Sequence, residues 1–398
     1  MNHLIKTALM GSMLVSSSSF AAEHIALSSK LNTHPALDAV DQFNHNAMQV
    51  TDIKRVLANH VAKDLATQEK SWLRQLSNTH IAKLSALSLT QNNQQLMQQA
   101  NTRTRSLKGL EQANANLYQL RLASKDMLMQ WQDGQQPLIA FAPKGDDKDW
   151  LYVEAFDAQG NLHLLDARIL PSQPVLILEL DSQQVKTEGL AVMQSIFEQA
   201  RSQSPSVILQ QQSIQDTAIS TSKLDRIRLS DDEEPWVSGK AEVYAVVTGV
   251  SPSRDEPVLD IVDMPYLDHD GTDYTPNQIL IHWERYRWQA ADVLLMEQDD
   301  NTNYQELATT FLDIVTQVMR TIPDPNVQGY AIIPQLTNQL IKAMPSHWFS
   351  NDDDYLDVFY TLFEGQKYTN HMGASNNAKI TLSPLTINPR SVDPSADR

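Results

Sequence analysis

In "AEVYAVVTGV", residues 241–250, Val243, Ala245 and Val247 recur at every second position, and Val250 breaks the alternation. A period of two belongs to a β-strand with one face turned to a core. Three more stretches follow: "PVLDIVDMPYL" (257–267), "QILIHWERY" (278–286) and "ADVLLMEQ" (291–298). Each is rich in β-branched or aromatic residues and bounded by turn formers. Strands at this spacing, with few helices between them, predict a β-sandwich.

The chain around this region divides by composition. Residues 1–22 read as a secretory signal peptide: Lys6 precedes the apolar run Ala8 to Val15, and Ser19-Phe20-Ala21 offers a small-x-small cleavage pattern. That run is far shorter than the roughly 20 residues that span a bilayer, and no other stretch approaches that length. Residues 23–136 read as mainly helical. No proline falls between Pro35 and Pro137. Ile53, Val56, Leu57, Val61 and Leu65 recur at helical spacing, and Leu73, Leu76, Leu84 and Leu87 extend a stripe with His80 among them. Residues 137–222 read as a small α/β or β-rich module, with strands at "LIAFAP", "WLYVEAF", "LHLLDARI" and "PVLILELD" and a helix near 187–201. A polar link, Ser220-Thr221-Ser222-Lys223, leads into an acidic domain over 223–386. There Asn303 stands three residues before Glu306, the spacing of a capping box, ahead of a helix to about Ile322. A second helix covers roughly 328–343, "NDDDYLDVFYTLF" is strand-like, and 387–398 is a disordered tail. The fold class is α+β: an N-terminal helical region, a small β-rich module, and a C-terminal β-sandwich with packed helices, C2-like by analogy of arrangement.

The chain has no cysteine, so it uses neither disulfides nor a cysteine nucleophile nor thiolate metal sites. Its net charge of −17 is concentrated: residues 225–360 hold 25 of the 48 acids and 8 of the 31 Lys and Arg, so this segment alone carries the whole imbalance. Such a region argues against nucleic-acid binding, which needs a basic stripe, and suits cation binding or solubility.

The acids are clustered at Asp231 to Glu234, at Asp263 with Asp268, Asp270 and Asp273, at Glu297 with Asp299 and Asp300, and at Asp352 to Asp354 with Asp357. Crowded carboxylates repel one another unless a cation compensates. Outside the cell Ca²⁺ is the natural candidate, with six to eight oxygen ligands. Asp263, Asp268, Asp270, Asp273, Asp299, Asp300 and Asn301 are the candidate metal ligands. The spacing is not an EF-hand, because Gly271 comes two places early and no Glu closes the loop. Equally, each acid serves as an ordinary solvated turn or cap residue.

Enzyme signatures such as HExxH, GxSxG, a P-loop or GxGxxG are absent. His282 and Glu284 form the one close His/acid pair near the acidic loops, and two residues apart on a strand they share a face. They are the catalytic candidates. The aromatics flanking the loops, Trp236, Tyr266, Tyr274, Trp283, Tyr286, Trp288 and Tyr304, suit core packing better than a ligand platform.

The stretches "DDEEPWVSGKAEVYAVVTG", "DMPYLDHDGTDYTPNQILIHW", "EQDDNTNYQEL" and "NDDDYLDVFYTL" resemble a proteobacterial family of exported proteins, domain-of-unknown-function family 3103. The resemblance covers most of the mature chain and is strongest over 224–365. It implies export to the periplasm or medium and brings no catalytic residues to carry over. The resulting expectation is an exported, non-enzymatic binding or adhesion-type module whose loops take Ca²⁺. Its partner would be an anionic surface, a polysaccharide or an envelope protein. The alternatives are a metal-assisted hydrolase built on His282 and Glu284, and a structural envelope interaction protein.

Overall fold

The strand over 243–250 is buried from end to end, on both of its faces, which explains why its alternation is imperfect: a strand covered on both sides has no need of a polar face. It is β8 in a computed structural model. The structure describes residues 43, 48–65, 73–132, 134–145, 147–202, 218–230, 236–238, 242–252, 256–298, 302–321, 329–343 and 355–388. Residues 1–45 form one unit and 46–398 another, and the second holds every described helix and strand. Residues 1–22, read from the sequence as a signal peptide, and the tail beyond 388 lie outside the described residues, as do Asp231 to Glu234, Asp299, Asp300, Asn301 and Asp352 to Asp354.

Among the described residues the fold is mixed α/β, with seven α-helices and three sheets. In chain order the helices are α1 (Val50–Leu65), α2 (Leu73–Thr79), α3 (Gln91–Leu107), α4 (Met127–Gln132), α5 (Ser182–Ser202), α6 (Tyr304–Thr321) and α7 (Ile332–Ala343). The first sheet holds β1 (Ile81–Lys83), β2 (Tyr118–Leu122), β3 (Leu138–Ala140), β4 (Tyr152–Phe156), β5 (Leu162–Asp166) and β6 (Val175–Leu180), in the order β1-β2-β6-β3-β4-β5. Only the β3–β6 pair is parallel. Helix α1 packs on β3, β4 and β6 through Ile53, Leu57 and Val61, its buried stripe.

The C-terminal region is β-rich. One antiparallel sheet runs β10 (Gln278–His282), β7 (Ile219–Leu229), β14 (Ala378–Ile387), β13 (Tyr368–Met372). The other runs β12 (Tyr355–Phe363), β11 (Ala290–Glu297), β8, β9 (Pro257–Asp263). Their buried residues form one core: Leu224, Ile227 and Leu229 from β7, Val243, Ala245 and Val247 from β8, and Ile380 and Leu382 from β14 among them. The intervening residues of β8 and β11 turn the other way, where α7 packs across β8, β11 and β12. Helix α6 is amphipathic: Leu307, Phe311, Val315 and Met319 are buried at helical spacing, and each such side chain contributes about 1.5–3 kcal/mol. It starts where the capping signal places it, with Asn303 Oδ1 accepting the Glu306 N–H at 3.0 Å.

Four local expectations change. The mainly helical region supplies β1 and β2, so the first sheet crosses the 136/137 boundary. The polar link at 220–223 is part of β7, one of the two inner strands of its sheet. Thr221 and Ser222 are fully buried there, which their hydroxyls allow: Thr221 donates to the Leu385 carbonyl at 2.7 Å and Ser222 accepts the Trp283 indole N–H at 3.0 Å. The strand at "QILIHWERY" stops at His282 and gives way to a 3-10 turn over Trp283–Arg285. The stripe through His80 is no continuous helix, since α2 ends at Thr79.

Candidate functional site

Alternation along β2 decides the site. Tyr118, Leu120 and Leu122 are buried on one face, while Gln119 and Arg121 point to the other. Lys83 of β1 stands opposite Gln119, and Gln119 stands opposite Glu179 of β6, so three polar side chains form one cross-strand row. The row is fully connected. Lys83 Nζ bonds the Asp181 carboxylate, Gln119 Nε2 donates to Glu179 at 2.9 Å, and Arg121 Nε donates to the other Glu179 oxygen at 2.8 Å. Burial pulls the Lys83 pKa down, against the raising influence of Glu179.

This polar face is the floor of a cleft of about 1200 Å³. The facing wall comes from the C-terminal region: Val237, Ser238, Glu242, His269, Glu297 and Gln298. Arg121 ties floor to wall, donating to the Val237 and Ser238 carbonyls at 3.1 and 2.7 Å. Helix α5 begins at one end. Asp181 caps it, its Oδ1 accepting the Gln184 N–H at 3.2 Å. Ser182, the first helical residue, donates to Glu242. One turn on, Lys186 is only 1% exposed and reaches Glu242 at 3.4 Å and Asp263 at 3.1 Å. Burial raises the Glu242 pKa, against the lowering pull of Ser182 and Lys186.

His80 is another of the lining residues. Its N–H bonds the Leu76 carbonyl at 3.0 Å, which ends α2 in a left-handed cap, and its φ is +61°. That position normally takes Gly or Asn, because a Cβ there costs about 1–2 kcal/mol. Its carbonyl accepts the Leu122 N–H at 3.0 Å, fixing the backbone against the sheet edge. His80 is among the residues that line the cleft, while its Nδ1 is sealed from solvent without a hydrogen-bond partner. Four Lys or Arg and four Asp or Glu line the cleft, so their formal charges cancel.

The residues singled out from the sequence are placed elsewhere or dispersed. Asp263 lies at the end of β9 beside Lys186. Asp268 accepts the Tyr274 hydroxyl at 2.8 Å, and Asp273 lies 3.7 Å from Arg228. The loop that carries them runs along β7 through paired Ile227 and Tyr274. Asp270 is in the same loop and half-buried. Among the described residues, no group of three His, Cys, Asp or Glu is placed to hold a metal ion. His282 Nδ1 and Glu284 Oε1 are 3.7 Å apart on the surface, away from the cleft, with Glu284 in the 3-10 turn rather than on the strand.

Two buried acids serve the fold. Asp357 accepts N–H groups from Val358, Ser375, Asn377 and Ala378 at 2.7–2.9 Å, and Gly373 packs so closely on it that a Cβ would collide. Asp292 is fully buried under α7, with Oδ1 accepting the Thr361 N–H at 2.7 Å and Oδ2 without a hydrogen-bond partner. Burial pushes its pKa up to about 6, against the Thr361 N–H and the Thr337 hydroxyl. The cleft floor escapes a sequence reading because β1 and β2 are short and sit among helices. The trace they leave is the alternation of "YQLRL" at 118–122 and the polar Glu179 in an otherwise apolar strand.

A family model described as "Protein of unknown function (DUF3103)" matches residues 54–390. No curated protein and no solved structure matches the chain.

Proposed function

The chain belongs to the DUF3103 family, which assigns it no chemistry, and from the geometry we propose that it is an exported, non-enzymatic binding protein whose ligand sits in the cleft above β1, β2 and β6. The cleft itself carries this reading. It is larger than the roughly 300–1,000 Å³ of ordinary small-molecule sites, and it lies where the first sheet meets the C-terminal region, a preferred place for ligand pockets. Export rests on the N-terminal segment of the sequence. The absence of catalytic constellation motifs favours binding over turnover. Ca²⁺ on the acidic loops is the weaker form of the reading, since Asp263, Asp268 and Asp273 already have protein partners.

A thermal-shift screen of the intact chain against a library of polar small molecules tests it, with Gln183→Trp as the blocking variant. Gln183 is exposed on the first turn of α5 and lines the cleft, so a larger side chain there fills the site without entering the core. The expected result is a set of related compounds that stabilise the wild type, leave Gln183→Trp unmoved and remain unconverted after incubation. Compounds that stabilise both proteins equally, or a library without a hit, would sink the reading.

A further inference from the structure

We propose that two copies of this chain associate through β5, antiparallel and about a two-fold axis at His163, so that their first sheets join into one. β5 is the outer strand of that sheet, with β4 as its one neighbour. Its register with β4 is unbroken over five residues, and it carries no proline, lysine or bulge. Natural edge strands are blunted by such features, because a free edge is a template for pairing. Among the described residues the other edges have them: β10, β12 and β13 shift register, β9 opens on Pro257, and β1 is three residues long with a lysine. Exposed apolar residues gather at the same place. Leu151, Tyr152, Leu164, Ile169 and Leu170 all lie in the β4–β5 hairpin or its flanks, and Leu164, on β5 itself, is 43% exposed.

The free backbone groups set the register. Asp157 donates its N–H to the Asn161 carbonyl and Ala167 donates to Leu151, which puts the odd-numbered residues of β5 in the bonded pairs with β4. Leu162, Leu164 and Asp166 therefore turn their N–H and C=O groups outward. The Asp166 carbonyl accepts the Trp236 indole N–H at 3.0 Å, which closes that end and leaves Leu162 and Leu164 as two open rungs. An antiparallel copy satisfies both rungs when Leu162 faces Leu164 of the second copy and His163 faces its own counterpart. The same register sets Gly160 opposite Asp166 of the second copy. Lys63 of α1 lies so close over Gly160 that a Cβ there would collide with its Cε, and both Lys63 and Asp166 are exposed. The register chosen by the hydrogen bonds thus brings a cation to a carboxylate twice, once at each end. Glu154, opposite Leu164 on β4, accepts a bond from Arg55 of α1 at 2.6 Å, so Leu162, Leu164 and Asp166 share the face that α1 covers. His163 is on the other face, where it bonds its own Asp157 at 2.9 Å. β5 is the strand farthest from β1, so association leaves the cleft floor of each copy open.

Sedimentation equilibrium of the intact chain is expected to show a monomer–dimer equilibrium. Leu164→Lys should raise its dissociation constant about tenfold or more, and Lys63→Glu about threefold or more. Asp166→Asn keeps the cap that its carboxylate gives the Arg168 and Ile169 N–H groups. It should weaken the wild-type dimer and strengthen the Lys63→Glu dimer, because there it removes a like charge. Leu164 and Lys63 are exposed, so unchanged circular dichroism and Tm separate a lost contact from a lost fold. The chain has no cysteine, so one placed at the axis reports the register. Residues facing each other in a non-hydrogen-bonded pair have Cα atoms about 4.5 Å apart, within the span of a disulfide. Under mild oxidation His163→Cys is expected to give a covalent dimer, and Leu165→Cys, on the same face but offset from its counterpart, is not. A wild type that stays monomeric throughout the micromolar range, or a dimer that Leu164→Lys leaves intact, would overturn the proposal. Equal crosslinking of the two cysteine variants, or Lys63 and Asp166 changes without effect, would overturn the register.

Discussion

At the scale of single residues, the informative side chains are those whose local environment works against them. His80 occupies a left-handed cap with Nδ1 unsatisfied. His80→Gly removes the Cβ strain and the buried polar atom, and the flexible glycine returns part of that gain through the unfolded chain. The net expectation is a stabilisation of about 1 kcal/mol, read by urea denaturation. A loss of stability would mean that the imidazole is held for packing. Asp292 is a second case. Its folded pKa of about 6 exceeds the unfolded value, so the folded protein keeps a proton that the unfolded chain releases. The Asp292 contribution to stability therefore falls as pH rises from roughly 4 to 6 and is flat above that window, with a cost on the order of 3 kcal/mol. Asp292→Asn should match the wild type near pH 4 and exceed it by about 2–3 kcal/mol at neutral pH. An equal difference at both pH values would contradict the assignment. Neither residue shows itself in the sequence. His80 reads as one more position of a leucine stripe, and Asp292 as one acid among many.

At the scale of elements, legibility follows from how much of an element's reason for existing is local. Helix α6 is legible because its cap, its apolar stripe and its length are all written within 303–321. Asn303→Ala should cost about 1 kcal/mol, and amide exchange at the start of α6 should quicken accordingly. β8 and β11 are legible as apolar runs. β7 is not, because its buried Thr221 and Ser222 are tolerated only through partners on β14 and at Trp283, both far along the chain. The β13–β14 hairpin is similarly hidden. Its turn is held by Asp357 of β12, which gathers the N–H groups of Ser375, Asn377 and Ala378. An amide there would turn a donor toward donors. Asp357→Asn is expected to cost about 3 kcal/mol and to expose the 373–378 amides to exchange before the rest of the sheet. Uniform protection across the hairpin in the variant would show that its turn stands without the carboxylate.

At the scale of the whole molecule, the acidity that dominates the sequence is not a map of the site. The concentration of acids over 225–360 suggests a cation, because a sequence shows charges but not the partners brought to them by folding. Lys186 comes from α5, Arg228 from β7 and the Tyr274 hydroxyl from the loop itself, and each takes up one of the suspected ligands. The balanced cleft is invisible for the complementary reason: its floor and wall come from distant parts of the chain, with Arg121 and the Val237 carbonyl 116 residues apart. A thermal melt of chelator-treated protein decides between the two pictures. A cation bound only by the native state raises stability by RT ln(1 + [L]/Kd), about 2.7 kcal/mol at a hundredfold excess over Kd. With the described acids already partnered, Ca²⁺ is expected to move Tm no more than Mg²⁺ does, and Asp268→Asn with Asp270→Asn to leave that response unchanged. A Ca²⁺-selective rise that this double variant abolishes would restore the acidic loops as a metal site. It would also make Asp299, Asp300 and Asn301 the next residues to change.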